Sequence, residues 1–254
     1  MNKKIVAVVL CGGMGTRLSE ITNKKPKSLI NILDKSIIWY VVSILLKNKI
    51  NNVIFPLGYK GDLIKKSILK DFKKKSNNFK FIKTGKKTEI SQRIKKISKY
   101  LLKYDDFLLI NSDTILDFDI KSFLKFHKQK KNLISFCGVK MNSEWGTIIK
   151  EPKNDRVVKF SVNSKIESYK IKKFEKYNCY RNSGVSLINS KCLKFINNNL
   201  NTNFEISLFN KFIKINKVGI KIFKGLWYPI ETLKDLNLIK NDKVLNKKIK
   251  KFKK

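Results

Sequence analysis

The first half of the chain alternates short apolar runs with longer segments that have the apolar spacing of a helix. The short runs are typical of strands buried in a parallel sheet. Strand and helix in alternation predict a three-layer α/β/α sandwich with a mixed, mainly parallel, Rossmann-like sheet. The predicted strands cover residues 5–10, 53–55, 79–82 and 107–110, and the predicted helices cover residues 37–46, 62–72 and 90–102.

After residue 132 the pattern changes to short strand-like runs, which predict a small antiparallel extension. Residues 161–178 are polar and are interpreted as a variable loop. We predict one domain over residues 1–240, with halves of about 1–132 and 133–240, and a frayed lysine-rich tail over residues 241–254. The predicted strands of the second half are 133–139, 147–150, 157–160, 185–188 and 220–223, and the remaining predicted helices are 120–130, 204–215 and 231–240.

The composition of the chain argues against several classes of protein, namely specific nucleic-acid-binding, zinc-binding, disulfide-bonded and membrane-spanning proteins. The 254 residues carry a formal charge of +38, which favours phosphate-bearing partners. Only four of the 57 basic residues are arginine and the lysines are spread along the whole chain, so we expect no specific nucleic-acid site. The four cysteines show no CxxC spacing, which argues against both a zinc site and a secreted disulfide framework. No apolar run approaches the ~20 residues of a membrane span, and we expect a cytoplasmic protein.

The first predicted strand runs directly into a glycine-rich loop with the sequence CGGMGTR at positions 11–17. Glycines allow backbone amides to approach a phosphate closely. The loop lacks the Gly-Lys-Ser/Thr ending of a P-loop, and Leu18 stands where a dinucleotide-binding fingerprint has its third glycine. A tight structural turn is the alternative interpretation of the glycines alone.

Two cations favour the phosphate-binding interpretation. Arg17 lies inside the loop, and Lys27 follows in a segment stiffened by Pro26. A guanidinium can bind two phosphate oxygens at once, and a lysine can meet a second phosphate group. The pair therefore suits a polyphosphate.

These motifs resemble those of the sugar-1-phosphate nucleotidylyltransferases. The glycine loop and the KPK sequence at 25–27 match that family, as do TG at 84–85, NSD at 111–113 and NSG at 182–184. The GYKG sequence at 58–61 and the WYPIETL sequence at 227–233 are most similar to the glucose-1-phosphate cytidylyltransferase branch. The resemblance spans nearly the whole chain.

The resemblance implies a reaction in which a sugar 1-phosphate oxygen attacks the α-phosphorus of a nucleoside triphosphate and releases pyrophosphate with Mg²⁺ assistance. By family match, Arg17 would hold the triphosphate, Lys27 would bridge the reacting phosphates, and Asp113 and Glu231 would bind Mg²⁺. The sugar phosphate would contact Gly146 and Asn182. The implied nucleotide-binding residues are Leu10, Cys11, Gly12, Gly13, Gly15, Thr16, Thr84 and Ser112.

Several positions depart from the family pattern. Ser112 replaces a glycine, Glu231 replaces an aspartate, and Ser91-Gln92 replaces a glycine pair. A Glu-Lys pair of the sugar pocket is replaced by residues 161–163, with no evident substitute for the lysine. The only histidine, His127, is placed on a surface helix without a catalytic role.

We expect an enzyme that joins CTP and glucose 1-phosphate into a nucleotide sugar for polysaccharide or related glycan synthesis. The alternatives are a guanylyl- or thymidylyltransferase acting on another sugar 1-phosphate, and a non-catalytic nucleotide-binding relative. The sequence leaves open whether the chain forms a homo-oligomer.

Overall fold

The computed structural model describes residues 5–13, 22, 25–139, 147–151, 153–161, 178–196 and 204–250. In these ranges the chain forms thirteen strands and seven α-helices, together with short 3-10 helices. The strands are β1 (Val6–Leu10), β2 (Asn31–Ile32), β3 (Lys35–Ser36), β4 (Val53–Leu57), β5 (Phe79–Lys83), β6 (Asp106–Asn111), β7 (Thr114–Leu116), β8 (Ile134–Val139), β9 (Thr147–Lys150), β10 (Val157–Ser161), β11 (Asn178–Asn189), β12 (Val218–Phe223) and β13 (Trp227–Pro229). The α-helices are α1 (Ile37–Lys47), α2 (Gly61–Phe72), α3 (Ile90–Leu101), α4 (Ile120–Gln129), α5 (Phe204–Lys214), α6 (Leu233–Asn241) and α7 (Lys243–Lys250).

A nine-stranded mixed sheet forms the centre of the fold and confirms the predicted class. β1 lies between β4 and β6, and all its pairings are parallel, as is that of β4 with β5. β1 is apolar throughout because both faces of the sheet are covered. Along β1, Ala7 and Val9 belong to one core cluster and Val6 and Val8 to another, so their side chains alternate between the two faces.

β11 joins the parallel strands to the antiparallel extension. Its last part pairs with β6, its first part pairs with β9, and β8 runs beside it on the other edge. The strand is twelve residues long, although the apolar pattern predicted only 185–188. The difference arises because the polar residues before Val185 hide the strand periodicity, and a register shift between Asn182 and Ser186 interrupts it.

A third core cluster lies under the carboxyl-terminal helices. It contains Leu245 and Ile249 of α7, which are buried. Residues 247–250 are therefore helical rather than frayed as predicted, with Ile249 buried and the lysines exposed. Residues 251–254 lie outside the described ranges. None of the helices described here is both long and apolar enough to cross a membrane.

The surface position predicted for His127 is wrong. This side chain is 2% exposed at the edge of the sheet opposite the glycine loop. Its Nδ1 lies 2.8 Å from Ser135 Oγ, and its Nε2 lies 3.4 Å from Asp106 Oδ1. Asp106 also accepts a hydrogen bond from Asn189 Nδ2 at 2.9 Å. Polar partners thus replace the water that His127 loses on burial.

Asp106 gives the fold a defined sensitivity to acid. Burial raises the pKa of this carboxyl, but the hydrogen bonds and charge of His127 and the hydrogen bond of Asn189 outweigh burial and hold the pKa below its ordinary value. A carboxyl with a lowered pKa stabilises the fold above its unfolded-state pKa, and this contribution is lost as the pH falls through the folded-state pKa.

We therefore expect Asp106→Asn to lower the free energy of unfolding at pH 6 by about 1–2 kcal/mol. The difference from the unsubstituted protein should shrink when the pH falls below about 4. Urea denaturation at pH 6 and pH 3.5 measures both values. An equal difference at the two pH values would contradict the assignment.

Candidate functional site

The predicted phosphate loop begins at the carboxyl edge of the parallel strands. Cys11, directly after β1, bridges Leu57 at the end of β4. Thr84 follows β5, and its hydroxyl donates a hydrogen bond to the Leu57 carbonyl at 2.8 Å. Ser112 follows β6, and its Oγ donates to the Leu10 carbonyl at 2.6 Å. Residues 10–13, 84 and 112, which sequence analysis assigned to the nucleotide, are thus brought together at one edge of the sheet.

A buried arginine from α3 holds this edge together. Arg93 Nη2 donates to the Gly12 carbonyl at 3.0 Å, and Nη1 donates to Thr84 Oγ1 at 2.6 Å. A Cβ at position 12 would lie 2.3 Å from Nη1, so the loop can approach Arg93 only because residue 12 is glycine. The planar guanidinium presents its donors in a fixed fork, which makes the connection between the loop and the end of β5 rigid.

Burial also decides the chemistry of the groups around Arg93. It raises the pKa of the Cys11 thiol to about 12, against the opposing effect of the Arg93 charge. Cys11 is therefore protonated near neutral pH and is a packing residue rather than a nucleophile. Burial lowers the pKa of the Arg93 guanidinium, which remains charged because arginine is not deprotonated in proteins.

Lys27 and Asp113 form an ion pair at this edge. Lys27 begins a 3-10 helix, Lys27–Leu29, directly after Pro26, and Leu29 is anchored in the core. Lys27 Nζ donates to Asp113 Oδ2 at 2.9 Å. The side chains are 17% and 35% exposed, so both charges are accessible to a ligand.

A two-stranded antiparallel pairing places Glu231 beside Asp113. Pro229 of β13 lies opposite Thr114 of β7, and the Ile230 amide donates to the Asp113 carbonyl at 3.0 Å. The Glu231 amide donates to Asp235 Oδ2 at 2.8 Å, and Asp235 also forms the capping box that begins α6. The backbone at Glu231 is therefore fixed from both sides.

The Glu231 carboxylate lies close to a second buried arginine. Arg181 Nη2 is 3.9 Å from Glu231 Oε1, and its guanidinium lies over the Trp227 ring, 4.8 Å from the centroid. The indole Nε1 donates to the Ser183 carbonyl at 2.9 Å, which fixes the ring. Arg181 is 7% exposed.

Asn182 follows Arg181 in β11 and approaches the same region. Its Oδ1 accepts from the Gly184 amide at 3.0 Å. Gly184 has a φ of +80°, and a Cβ there would lie 2.7 Å from Asn111 Nδ2. Glycine is required on both counts. Of the other predicted site residues, Gly15, Thr16, Arg17 and Gly146 lie outside the described residues.

Sequence reasoning did not find the roles of Arg93 and Arg181 in this geometry. Both residues entered the sequence analysis only as two of the four arginines. The available signal was the scarcity of arginine in a lysine-rich chain, since two of the three arginines that the structure describes lie at this edge. Arginine is favoured over lysine where a charge must be buried and bonded in a fixed orientation.

Asp113 and Glu231 are the two carboxylates that could hold a magnesium ion at this edge. Mg²⁺ takes hard oxygen ligands and usually combines one or two protein carboxylates with waters and substrate phosphates. Across the described ranges, no group of three or more His, Cys, Asp or Glu side chains could hold a metal. A site with two carboxylates would leave the other ligand positions of the ion to water and substrate phosphates.

The chain is similar to known proteins over most of its length. A family model described as "Nucleotidyl transferase" matches residues 6–237. The chain is 28% identical to a probable glucose-1-phosphate cytidylyltransferase of Bacillus subtilis, over 94% of this chain and 96% of the relative. It is 25% identical to a mannose-1-phosphate guanyltransferase of Hypocrea jecorina, over 90% of this chain and 61% of the relative.

The fold is also similar to that of solved structures. A putative glucose-1-phosphate thymidylyltransferase of Bacillus anthracis superimposes with a TM-score of 0.77 and 18% sequence identity, over 92% of this chain and 93% of that protein. At this identity the similarity supports the fold alone. Its strand and helix arrangement agrees with the predicted α/β class.

Proposed function

We propose, from the premise that this chain belongs to the nucleotidyl transferase family, that it joins a nucleoside triphosphate and a sugar 1-phosphate into a nucleotide sugar and pyrophosphate. The observation that carries the proposal is the convergence of three features at one sheet edge. The described start of the glycine loop (residues 11–13), the Lys27–Asp113 ion pair and Glu231 all lie where the parallel strands end. Ligands of open α/β sheets bind at this edge.

The reaction needs little covalent work from the protein. A phosphate oxygen of the sugar 1-phosphate attacks the α-phosphorus, the bond to the β-phosphate oxygen breaks, and pyrophosphate leaves. Positioning and charge stabilisation supply the catalysis in such transfers. Loop amides would cradle the triphosphate, Arg17 would hold the leaving phosphates, and Lys27 would move from Asp113 to the reacting phosphates.

Asp113 and Glu231 would hold Mg²⁺, which supplies charge neutralisation for the phosphates when it is bound. Lys27 Nζ lies 2.9 Å from Asp113 Oδ2. The Lys27 ammonium group compensates the charge of the Asp113 carboxylate. The same ammonium group would bind the substrate phosphates when they enter the site.

The preferred substrates are CTP and glucose 1-phosphate. This preference is supported by the Bacillus subtilis relative, which covers 94% of this chain. A guanylyltransferase acting on mannose 1-phosphate is the second candidate, because the Hypocrea jecorina relative covers 90% of the chain at a similar identity. The product would serve glycan synthesis as a sugar donor.

Pyrophosphate release tests the proposal. The purified protein is incubated with Mg²⁺, one of CTP, GTP, dTTP, UTP and ATP, and glucose 1-phosphate or mannose 1-phosphate. We expect release that requires both substrates and is fastest with CTP and glucose 1-phosphate. Fastest release with GTP and mannose 1-phosphate would reverse the substrate assignment, and no release from any pair would favour a non-catalytic nucleotide-binding protein.

Arg17→Ala is expected to lower kcat by about 30-fold, because one charged partner of the departing pyrophosphate is lost. Arg17→Lys should recover part of the rate, since a point charge replaces the guanidinium fork. Steady-state kinetics with the preferred pair measures both variants. An unchanged kcat in Arg17→Ala would remove Arg17 from the triphosphate site.

A further inference from the structure

Two ion pairs face the site, and they differ in kind. Lys27 forms a direct hydrogen bond to Asp113 at 2.9 Å. Arg181 lies 3.9 Å from Glu231, which is beyond hydrogen-bond distance. The second pair is therefore held by charge rather than by a directional bond. Such a contact can be replaced by a better-fitting anion.

Burial of the Arg181 guanidinium costs desolvation free energy, so its position in the interior needs an explanation. Its side chain is 7% exposed on β11, opposite Val139 of β8 and Thr147 of β9. An apolar residue would fit such a strand position without desolvating a charge. The guanidinium plane is instead held over Trp227, and the indole is anchored on the Ser183 carbonyl. Trp227 and Ser183 thus fix the orientation of the buried guanidinium.

The surroundings of Arg181 point to a phosphate. Glu231 is 18% exposed, so the anion that faces Arg181 lies at the border between the interior and the site. The next residue in β11 is Asn182, whose side chain holds the Gly184 turn against Asn111 at the end of β6. A guanidinium at this border can form two parallel hydrogen bonds to phosphate oxygens, which a carboxylate 3.9 Å away does not provide.

We propose that Arg181 binds the phosphate of the sugar 1-phosphate, and that Glu231 is its counter-ion before this substrate arrives. The inference rests on the proposed function and adds a residue to the acceptor side of the site. In the proposed reaction, Arg17 holds the triphosphate and Lys27 contacts the reacting phosphates. Arg181 provides the acceptor with a separate cation, and its departure from Glu231 leaves that carboxylate available to a metal ion.

Substitution of Arg181 tests the assignment. We expect Arg181→Met to raise the KM for glucose 1-phosphate by about 30-fold or more while the KM for the nucleotide changes less than twofold. Arg181→Lys should recover part of the loss. Arg156→Met is the matched control, because Arg156 also faces a glutamate, Glu151, at 3.8 Å, but on the exposed surface directly before β10. An equal rise in both KM values, or none in either, would contradict the role of Arg181.

A binding measurement separates a phosphate ligand from a structural residue. Calorimetry with glucose 1-phosphate in EDTA should show that Glu231→Gln binds this ligand at least threefold more tightly, because Arg181 loses its competing counter-ion. The gain should disappear in the double variant Glu231→Gln, Arg181→Met. A gain that persists in the double variant would overturn the proposal, as would a loss of binding in Glu231→Gln.

The pyrophosphate assay keeps the two proposals distinguishable. An unsubstituted protein that releases no pyrophosphate from any pair overturns the proposed function together with this inference. An active protein whose affinity for its sugar 1-phosphate is unaffected by Arg181→Met overturns the inference alone. Circular dichroism of each variant identifies any that fails to fold, and in that case the Arg181→Lys variant carries the comparison.

Discussion

Asp113→Asn is expected to lower turnover by about a thousandfold. The side chain is the partner of Lys27 at 2.9 Å and is one of two carboxylates that the β7–β13 pairing brings to the site. The amide keeps the size of the side chain but removes the negative charge. Removal of a single preorganised charge or donor in an active site costs about 10²–10³ in rate, and here the metal site is weakened as well.

The substitution should change the metal dependence more than the affinity for nucleotide. We expect the Mg²⁺ concentration at half-maximal rate to rise at least tenfold, because a neutral amide is a weaker ligand than a carboxylate for a hard cation. Lys27 loses its resting partner and gains freedom to bind phosphate, so nucleotide binding without metal should be equal or tighter.

A Mg²⁺ titration of the initial rate measures this prediction. Asp117→Asn is the matched control, since Asp117 is an exposed carboxylate four residues further along, and its backbone amide bonds to the Leu226 carbonyl. The control should retain the normal titration. A normal titration in Asp113→Asn would show that this carboxylate is not a metal ligand.

The parallel half of the fold could be predicted from the sequence because both faces of its strands are buried. β1 is uniformly apolar, and its predicted range 5–10 differs from the observed strand by one residue. The helix predicted over 90–102 was found as Ile90–Leu101. In such segments the burial pattern follows directly from the local structure.

The antiparallel half could not be predicted as well, because polar residues lie inside its strands. β11 contains Arg181 and Asn182. Charged and polar residues such as these are less common in strands, so the apolar pattern alone did not extend the predicted strand to them. Their positions follow from partners far along the chain, such as Trp227 and Glu231. His127 was misplaced for the same reason, since its burial depends on Asp106 and Ser135.

The parts of the site that follow directly from the ends of the parallel strands could be predicted from the sequence. A glycine loop at the end of one strand and a carboxylate after a parallel strand that neighbours it in the sheet must lie at the same sheet edge. The contacts between side chains at that edge could not be derived from spacing. Arg93 bonds to Gly12, 81 positions earlier, and only the fold brings the two residues together.

Gly58→Ala is expected to lower nucleotide affinity by about a hundredfold and the free energy of unfolding by about 2 kcal/mol. A Cβ at position 58 would lie 2.4 Å from the Gly12 carbonyl oxygen and 2.5 Å from Arg93 Nη1. The first of these contacts is with backbone, so the phosphate loop itself must move. The Tyr59 amide also donates to the Gly12 carbonyl at 3.2 Å, and this bond would be strained.

The stability control is Gly13→Ala, because a Cβ at position 13 meets no atom within 4 Å. We expect this variant to unfold at the same urea concentration as the unsubstituted protein, and Gly58→Ala to unfold at a lower one. Calorimetry with CTP measures the nucleotide affinity of Gly58→Ala. Normal affinity in a folded Gly58→Ala protein would refute the coupling between position 58 and the loop.

A second substitution identifies which contact is responsible. Arg93→Met in the Gly58→Ala background removes the guanidinium that the new Cβ meets at 2.5 Å, but leaves the 2.4 Å contact with the Gly12 carbonyl. If the displaced backbone causes the loss, the double variant should bind CTP no better than Gly58→Ala. Recovery of affinity would instead place the cause in the crowding of Arg93. Because Arg93 itself bonds to Gly12 and Thr84, we expect no recovery and a further loss of stability.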